Sequence, residues 1–160
     1  NPYWEDIKKQ EKENKLDENN SQDSKSILAD IPKSFTALMR AQKTSEKAAK
    51  ANFTWPEIEG VLADVDEEIL ELKEAIKLDK SKDKKHITHE LGDAIYSLVN
   101  IGRFLKIDTE LATAEAVNRF HKRFNKVEEA YDFDINKMKS ASVEELDAEW
   151  NRAKKSLSKN

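Results

Sequence analysis

The sequence contains no cysteine, and it has only three glycines and three prolines in 160 residues. The lack of cysteine excludes disulfides, thiolate zinc sites and cysteine nucleophiles, and it is typical of a protein of the reducing cytoplasm. A metal ion would therefore need oxygen or imidazole ligands. The scarcity of glycine and proline argues against a sheet protein, which needs these residues in its turns. We expect an all-α fold with short loops.

Two further absences limit the partners that the sequence predicts. No apolar run approaches the roughly 20 residues that cross a bilayer, so no membrane partner is expected. The 32 acidic residues outnumber the 28 basic ones, and a net charge of -4 provides no positive field that would hold a nucleic acid backbone. No nucleic acid partner is expected either. The chain starts at Asn1 instead of Met, which suggests a piece of a longer protein.

Charged and helix-forming residues are abundant, and 38% of the chain is charged. Residues 1–26 are almost entirely polar, and we expect a flexible, charged linker or arm there, with a short helix from about Trp4 to Glu13. Residues 27–160 are expected to form one helical domain, because their apolar residues recur at helical spacing. The predicted helices are Ser34–Ala51 with Ser34 as its cap, Pro56–Leu78, His86–Leu105, Asp108–Tyr131 and a last one opened by a capping box at Ser142–Glu145.

Acidic residues cluster on the second and third predicted helices. The second helix carries four acids within about two turns: Asp64, Glu67, Glu68 and Glu71. Two helices joined by a short loop should pack antiparallel, so Glu68 and Glu71 can face Glu90 and Asp93 of the third helix across a groove. Four carboxylates there would repel one another unless a divalent cation lies between them, and oxygen ligands favour Mg²⁺ or Mn²⁺.

These acids could also be the solvated faces of charged helices, which are common in so charged a chain. Two details favour a metal site. Glu68 and Glu90 lie beside the apolar stripes of their helices, where fully solvated acids are less expected. Gly92 stands inside a helix at a cost of about 1 kcal/mol relative to alanine, and it is expected to allow close packing. From the residues alone, both interpretations stay open.

The acids belong to a longer series of motifs that resembles a known family. Glu67-Glu68-Ile69-Leu70-Glu71 followed by Glu90-Leu91-Gly92-Asp93 is similar to the EExxE…ExxD signature of the MazG nucleotide pyrophosphohydrolases. Further segments resemble the first helix, the following turn and two later helices of that family: IPKSFTALMRA at 31–41, FTWP at 53–56, VNIGRFL at 99–105 and RFHKRF at 119–124. The resemblance covers about Ile27 to Lys155.

This resemblance implies a dimeric, all-helical enzyme that uses Mg²⁺ to cleave a nucleoside triphosphate into its monophosphate and pyrophosphate, in nucleotide-pool house-cleaning. Residues 27–160 would be its catalytic domain. The implied metal ligands are Glu68, Glu71, Glu90 and Asp93, and Glu67 joins them as a catalytic residue in a supporting position.

Four other positions match residues that the family places near the nucleotide: Arg119, Arg123, Trp150 and Lys154. The arginines would contact phosphates, and the indole of Trp150 could stack on a base. Without the resemblance, the arginines would be interpreted as surface charges and Trp150 as a packing residue, as Trp55 is. Val117, Arg119 and His121 depart from the family's usual asparagine, lysine and acid.

The segment Trp4–Lys9 resembles the linker before the second of two tandem domains in longer members, so a preceding domain is expected. Two alternatives have different functions. One is a non-catalytic helical dimerisation or regulatory module with vestigial acids. The other is a neighbouring helical enzyme that hydrolyses dUTP or a phosphoribosyl-nucleotide. Retention of all four acids together with Arg119 and Trp150 favours the MazG-type enzyme.

Overall fold

The computed structural model describes residues 5–13 and 22–158, and this part of the chain is helical without a β-strand. The all-α prediction is confirmed. The helices are α1 over residues 5–13, a 3₁₀ turn Gln22–Lys25, α2 Ala37–Lys50, α3 Ile58–Leu78, α4 Lys85–Leu105, α5 Thr109–Ala130, α6 Ile135–Ser140 and α7 Val143–Ser158. The short helix expected near the N-terminus is confirmed for residues 5–13, whereas residues 1–4 and 14–21 of the predicted arm lie outside the described residues. No described helix is long and apolar enough to cross a membrane.

The start of α2 differs from the prediction, because Ser34 is not its cap. The backbone N–H of Phe35 donates to the carbonyl of Pro32 at 3.2 Å, and this turn keeps Ser34 outside the helix. The cap is Thr36, whose Oγ1 accepts a hydrogen bond from the N–H of Met39 at 3.3 Å. A threonine in this position satisfies a backbone donor that the first helical turn leaves free.

Two other helix starts show how local backbone sets the boundary. Helix α3 begins at Ile58 instead of Pro56, because Glu57 is still extended with φ −126° and ψ 152°. The start of α7 shows the first half of the predicted capping box, in which Ser142 Oγ accepts from the N–H of Glu145 at 3.1 Å. The Glu145 side chain accepts from the Ser142 hydroxyl, at 3.3 Å. The short helix α6, which no prediction included, is capped by the side chain of Asp134.

The chain divides into two compact units, Asn1–Thr109 and Glu110–Asn160. In the first unit α4 packs against both α3 and α2. Both α4 carboxylates raise the pKa of Glu68 and of Glu71, but Asp93 has the larger effect on Glu68 and Glu90 the larger effect on Glu71, so positions later in α3 meet positions earlier in α4. This order confirms that the two helices are antiparallel. Small residues fill the contact, with Val61 and Ala75 of α3 and Ala94 and Val99 of α4 among those buried.

Helix α4 has a left-handed residue at each end. Lys84 precedes it with φ 53°, and Lys106 follows it with φ 58°. At the C-terminal end the N–H of Ile107 donates to the carbonyl of Gly102 at 2.8 Å, which closes the last turn. A non-glycine residue pays about 1–2 kcal/mol for this conformation, and the helix cannot continue through it. Both ends of α4 are therefore defined by backbone geometry.

The apolar stripes of α3 and α4 are only partly buried within the described chain. On α4 a stripe of apolar side chains stays 44–52% exposed: Leu91, Ile95, Leu98 and Leu105. On α3, Leu62 is 45% and Ile76 59% exposed. The reason is that the helices meet through their small residues, which leaves the larger side chains on the flanks of each stripe uncovered.

Candidate metal centre and adjoining cavity

Three of the predicted metal ligands come together between α3 and α4. Glu68 and Glu71 share one face of α3, and each offers a carboxylate oxygen within 4.8 Å of one from Glu90 on α4. Asp93 lies one turn beyond Glu90 on α4. One ligand atom from each of His89, Glu90 and Asp93 forms a second group, in which the three atoms also lie within 4.8 Å of one another. The structure therefore brings the four predicted acids into one cluster, here called the acidic cluster, in which Glu90 belongs to both groups.

The acidic cluster is electrostatically unfavourable without a cation. Burial raises the pKa of Glu68, and the carboxylates of Glu71, Asp64, Asp93 and Glu90 raise it further. The pKa of Glu71 is raised in the same way, by burial first and then by Glu90. Desolvation and like charges both penalise the ionised form. The fold thus holds acids together that would be more stable apart.

Two carboxylate oxygens of the cluster have no hydrogen-bond donor. Oε2 of Glu68 and Oε2 of Glu90 are buried, and no donor in the described part of the chain reaches them. Buried polar atoms in folded proteins nearly always have a partner. A hard divalent cation held by oxygen ligands would supply that partner and offset the repulsion, so the residues present fit Mg²⁺ or Mn²⁺.

Two histidines that sequence reasoning missed flank the acidic cluster. Nε2 of His86 lies 3.4 Å from Oε1 of Glu90, and Nε2 of His89 lies 3.1 Å from Oδ2 of Asp93. Each histidine stands four residues before its acid, and this spacing, which places two side chains on one helical face, could have been noticed in the sequence.

Glu67 and Gly92 lie at the edge of this site. Glu67 is exposed, and its carboxylate raises the pKa of Asp64, after the effect of burial. The expectation that Gly92 permits close packing is wrong for the described chain, because a Cβ placed there has no heavy atom within 4 Å. The glycine therefore leaves the backbone between Glu90 and Asp93 uncovered.

A cavity of about 230 Å³ adjoins the acidic cluster within the first unit. Glu68 and Asp93 line it on the side of the cluster, and Asn100 and Tyr96 line it farther along α4. Trp55 was predicted from the sequence to be a packing residue. Its ring lies against Gly60 of α3, so close that a Cβ on Gly60 would be 2.6 Å from it. The Trp55 side chain is nevertheless 41% exposed and also lines the cavity. Trp55 therefore packs on α3 and contributes to a site.

The predicted nucleotide contacts lie in the second unit, in which α5 and α7 bring two of them together. The Trp150 ring centroid is 5.2 Å from that of Phe120, and the guanidinium carbon of Arg123 is 5.9 Å from the Trp150 centroid. This distance allows a cation–π interaction. Arg119 and Lys154 are exposed, and neither forms an ion pair within the described residues.

The acidic cluster lies within a segment that matches a known protein family. The profile of the MazG nucleotide pyrophosphohydrolase domain matches residues 57–131. The nucleoside triphosphate pyrophosphohydrolase/pyrophosphatase MazG of Thermotoga maritima is 37% identical over 151 residues, which are 94% of this chain and 54% of that protein. The nucleoside triphosphate pyrophosphohydrolase of Escherichia coli K12 is 31% identical over 156 residues, 95% of this chain and 55% of that protein.

The uncharacterized protein YabN of Bacillus subtilis is 34% identical over 151 residues, which are 94% of this chain and 29% of that protein. The chain spans about half the length of the Thermotoga and Escherichia relatives. The domain match includes every residue of the acidic cluster, and the alignments extend over nearly all of the chain. The chain belongs to the MazG nucleotide pyrophosphohydrolase family.

Proposed function

We propose that this chain hydrolyses nucleoside or deoxynucleoside triphosphates to the monophosphate and pyrophosphate, with Mg²⁺ as its cofactor and Mn²⁺ as a substitute. The observation that carries the proposal is the pair of buried carboxylate oxygens, on Glu68 and Glu90, that have no donor in the described chain. The names of the Thermotoga and Escherichia relatives support the reaction class. A house-cleaning role in the cytoplasmic nucleotide pool is part of this proposal.

Glu68, Glu71, Glu90 and Asp93 would hold the cation, with Glu67 as a supporting carboxylate at the edge of the cluster. A bound Mg²⁺ supplies positive charge that offsets the charge of a polyphosphate and polarises water for attack on phosphorus. The chain's own contribution is to fix these four carboxylates on two packed helices, so that no reorganisation is needed when the substrate arrives.

The basic residues of the second unit are proposed to contact the substrate. Arg119, Arg123 and Lys154 would bind phosphate oxygens, since a guanidinium or ammonium group donates charge-assisted hydrogen bonds to them. Trp150 would lie against the nucleotide. The interaction of Arg123 with the Trp150 ring supports a paired role for these two residues.

A homodimer is part of the proposal, and the apolar stripe on α4 supports it. Leu91, Ile95, Leu98 and Leu105 recur at helical spacing and are about half exposed. Contiguous apolar surface of this kind is typical of an interface between protein chains. We also propose that residues 27–160 form the catalytic domain, and that a tandem domain precedes it, since the Thermotoga and Escherichia relatives are about twice as long as this chain.

The proposed function is tested with a panel of NTPs and dNTPs in the presence of Mg²⁺, with pyrophosphate and nucleoside monophosphate measured separately. Equal amounts of these two products are expected. Release of orthophosphate and nucleoside diphosphate would mean that the reaction class is wrong. Rates for dUTP and for a phosphoribosyl-nucleotide, measured beside the panel, separate this enzyme from the neighbouring helical families.

A pair of variants on α3 separates the enzyme from a non-catalytic module. Glu68→Gln is expected to abolish turnover, because it removes a charged ligand from the acidic cluster while conserving volume. Glu74→Gln makes the same chemical change at an exposed position of the same helix and should keep wild-type turnover. Equal activity of the two variants would show that the acidic cluster is not the catalytic centre.

A further inference from the structure

Three side chains that line the cavity beside the acidic cluster form a chain of hydrogen bonds. Nε of Arg103 donates to Ser45 Oγ at 3.0 Å, and Ser45 Oγ lies 2.6 Å from Oδ1 of Asn100. A guanidinium group can only donate. In the structure the Ser45 hydroxyl accepts from Arg103 and donates its own proton to Oδ1 of Asn100. Nδ2 is then the end of the Asn100 amide that is not bonded to Ser45.

The Asn100 amide leaves one donor available. Asn100 is 8% exposed and lines the cavity. Its Oδ1 is occupied by Ser45, and no group in the described part of the chain accepts a hydrogen bond from its Nδ2. Nδ2 is not fully buried, so a ligand or solvent in the cavity can accept its hydrogen bond. The cavity thus presents a donor of defined position to a ligand that carries an acceptor.

Aromatic side chains form another part of the lining. Phe53 is 83% exposed, Trp55 41% and Tyr96 38%, and all three line the cavity. Exposed rings next to a polar group are suited to a flat heterocycle that is apolar on its faces and polar at its edge. The ring of Trp150, by contrast, already has Phe120 and Arg123 against it in the second unit.

The volume of the cavity limits how much of a ligand it can hold. At about 230 Å³ it is smaller than the roughly 300–1,000 Å³ of pockets that enclose a whole small-molecule ligand. It adjoins the acidic cluster, because Glu68 and Asp93 belong to both sites. One part of a nucleotide can therefore occupy the cavity while its phosphates remain at the carboxylates.

We propose that this cavity binds the nucleobase of the substrate, with Nδ2 of Asn100 donating a hydrogen bond to a carbonyl oxygen or ring nitrogen at the base edge. Ser45 and Arg103 act as positioning residues that orient the amide, and Phe53, Trp55 and Tyr96 provide the stacking surface. The inference rests on the proposed function, because it assigns the base of the same nucleotide whose phosphates lie at the acidic cluster. It places the base in the first unit and leaves Trp150 to other parts of the nucleotide.

The first test compares substrates with and without a base. Asn100→Asp keeps an oxygen for the Ser45 hydroxyl and replaces the donor by an acceptor. We expect kcat/KM for NTPs to fall about 10-fold or more relative to kcat/KM for inorganic triphosphate, because a site built to donate to a base is left with an unmatched acceptor. Taking this ratio cancels the effect of the added charge on cation and phosphate. Asn136→Asp, the same change at an exposed position of α6, should leave the ratio unchanged.

The second test measures binding without catalysis. The wild-type protein with Mg²⁺ is titrated with α,β-methylene-ATP and α,β-methylene-GTP, and the side-chain amide of Asn100 and the indole N–H groups are followed by ¹H–¹⁵N NMR. Shifts of the Asn100 amide and the Trp55 indole are expected. Shifts confined to the Trp150 indole would overturn the base assignment, and so would an Asn100→Asp variant with an unchanged ratio of kcat/KM for NTPs to kcat/KM for inorganic triphosphate. If the wild-type protein still hydrolyses NTPs normally, the proposed function stands in either case. Absence of both binding and hydrolysis would overturn the two together.

Discussion

Replacing Glu68 by glutamine should stabilise the metal-free protein and remove most of the stabilisation that Mg²⁺ provides. In the metal-free protein the carboxylate of Glu68 is half-buried among Glu71, Asp64, Asp93 and Glu90, all of which raise its pKa. One like-charge pair about 4 Å apart costs from ~1 kcal/mol in water to ~4 kcal/mol at a protein surface. Because these acids are partly exposed, solvent screening reduces the sum. The substitution should stabilise the metal-free protein by about 1–3 kcal/mol.

The measurement is thermal unfolding by circular dichroism, first in EDTA and then in excess MgCl₂. For a chain of this size, 1 kcal/mol shifts Tm by about 2–4 °C, so Glu68→Gln should unfold some 2–12 °C above wild type in EDTA. Mg²⁺ at 100 times its Kd stabilises a folded protein that binds it by about 2.7 kcal/mol. Mg²⁺ should stabilise wild type by this amount and should stabilise the variant much less. The difference in Tm between the two proteins should therefore become smaller in MgCl₂ or change sign.

The control for this experiment is Glu74→Gln, which should follow wild type in both buffers because Glu74 is exposed on α3 and lies outside the acidic cluster. A Glu68→Gln variant that is less stable than wild type in EDTA would refute the argument. It would mean that Glu68 makes favourable contacts in the folded protein and that repulsion does not dominate the cluster.

Further predictions concern pH and packing. Folding raises the pKa of Glu68 from its ordinary value, so its protonated form stabilises the metal-free protein below about pH 4.5, and that contribution is lost as the pH rises through the raised pKa. Urea unfolding from pH 4 to 7 should show this loss of stability in wild type relative to Glu68→Gln. Mg²⁺ should remove the difference in pH dependence between the two proteins. Gly92→Ala should raise the unfolding free energy by about 0.5–1 kcal/mol, since the added Cβ meets nothing. Gly60→Ala should lower the unfolding free energy by about 1–3 kcal/mol, because its Cβ would lie 2.6 Å from Trp55. Ser45→Ala should lower the unfolding free energy by about 1–3 kcal/mol, because it breaks the hydrogen bonds from Arg103 and to Asn100. Chemical denaturation of each variant measures these changes in unfolding free energy.

The acidic cluster could be predicted from sequence because helical spacing determines it. Residues three apart lie on one face of a helix, and a short connection makes consecutive helices antiparallel. These two rules are sufficient to bring Glu68 and Glu71 opposite Glu90. The apolar period likewise located α3, α4 and α5 to within two residues of their observed ends.

The cavity could not be predicted in the same way, because its residues come from α2, α3, α4 and the loop between α2 and α3. Ser45 and Asn100 are 55 residues apart, and their hydrogen bond depends on how α2 packs against α4. One signal was nevertheless present. Asp93, Ser97 and Asn100 stand at i, i+4 and i+7, so they form a polar line on one face of α4 that leads from the acidic cluster along the cavity.

Gly92 shows a different limit of sequence reasoning. A glycine within a helix is destabilising on its own and usually indicates close packing. Whether another element approaches it depends on tertiary structure, which the spacing of apolar residues does not define. The mixed exposure of the α4 stripe has the same origin, since periodicity predicts which residues share a face but not how much of that face a neighbour covers.

The left-handed lysines at the ends of α4 have a consequence for how this protein can change during evolution. Because Lys84 and Lys106 stop the helix at fixed residues, extra residues in the loops outside it would leave Asp93 and Asn100 in register. One residue inserted between those two would rotate the amide by about 100° relative to the carboxylate. Variation in chain length among functional homologues should therefore accumulate in the loops on either side of this helix, and its interior should keep a constant length.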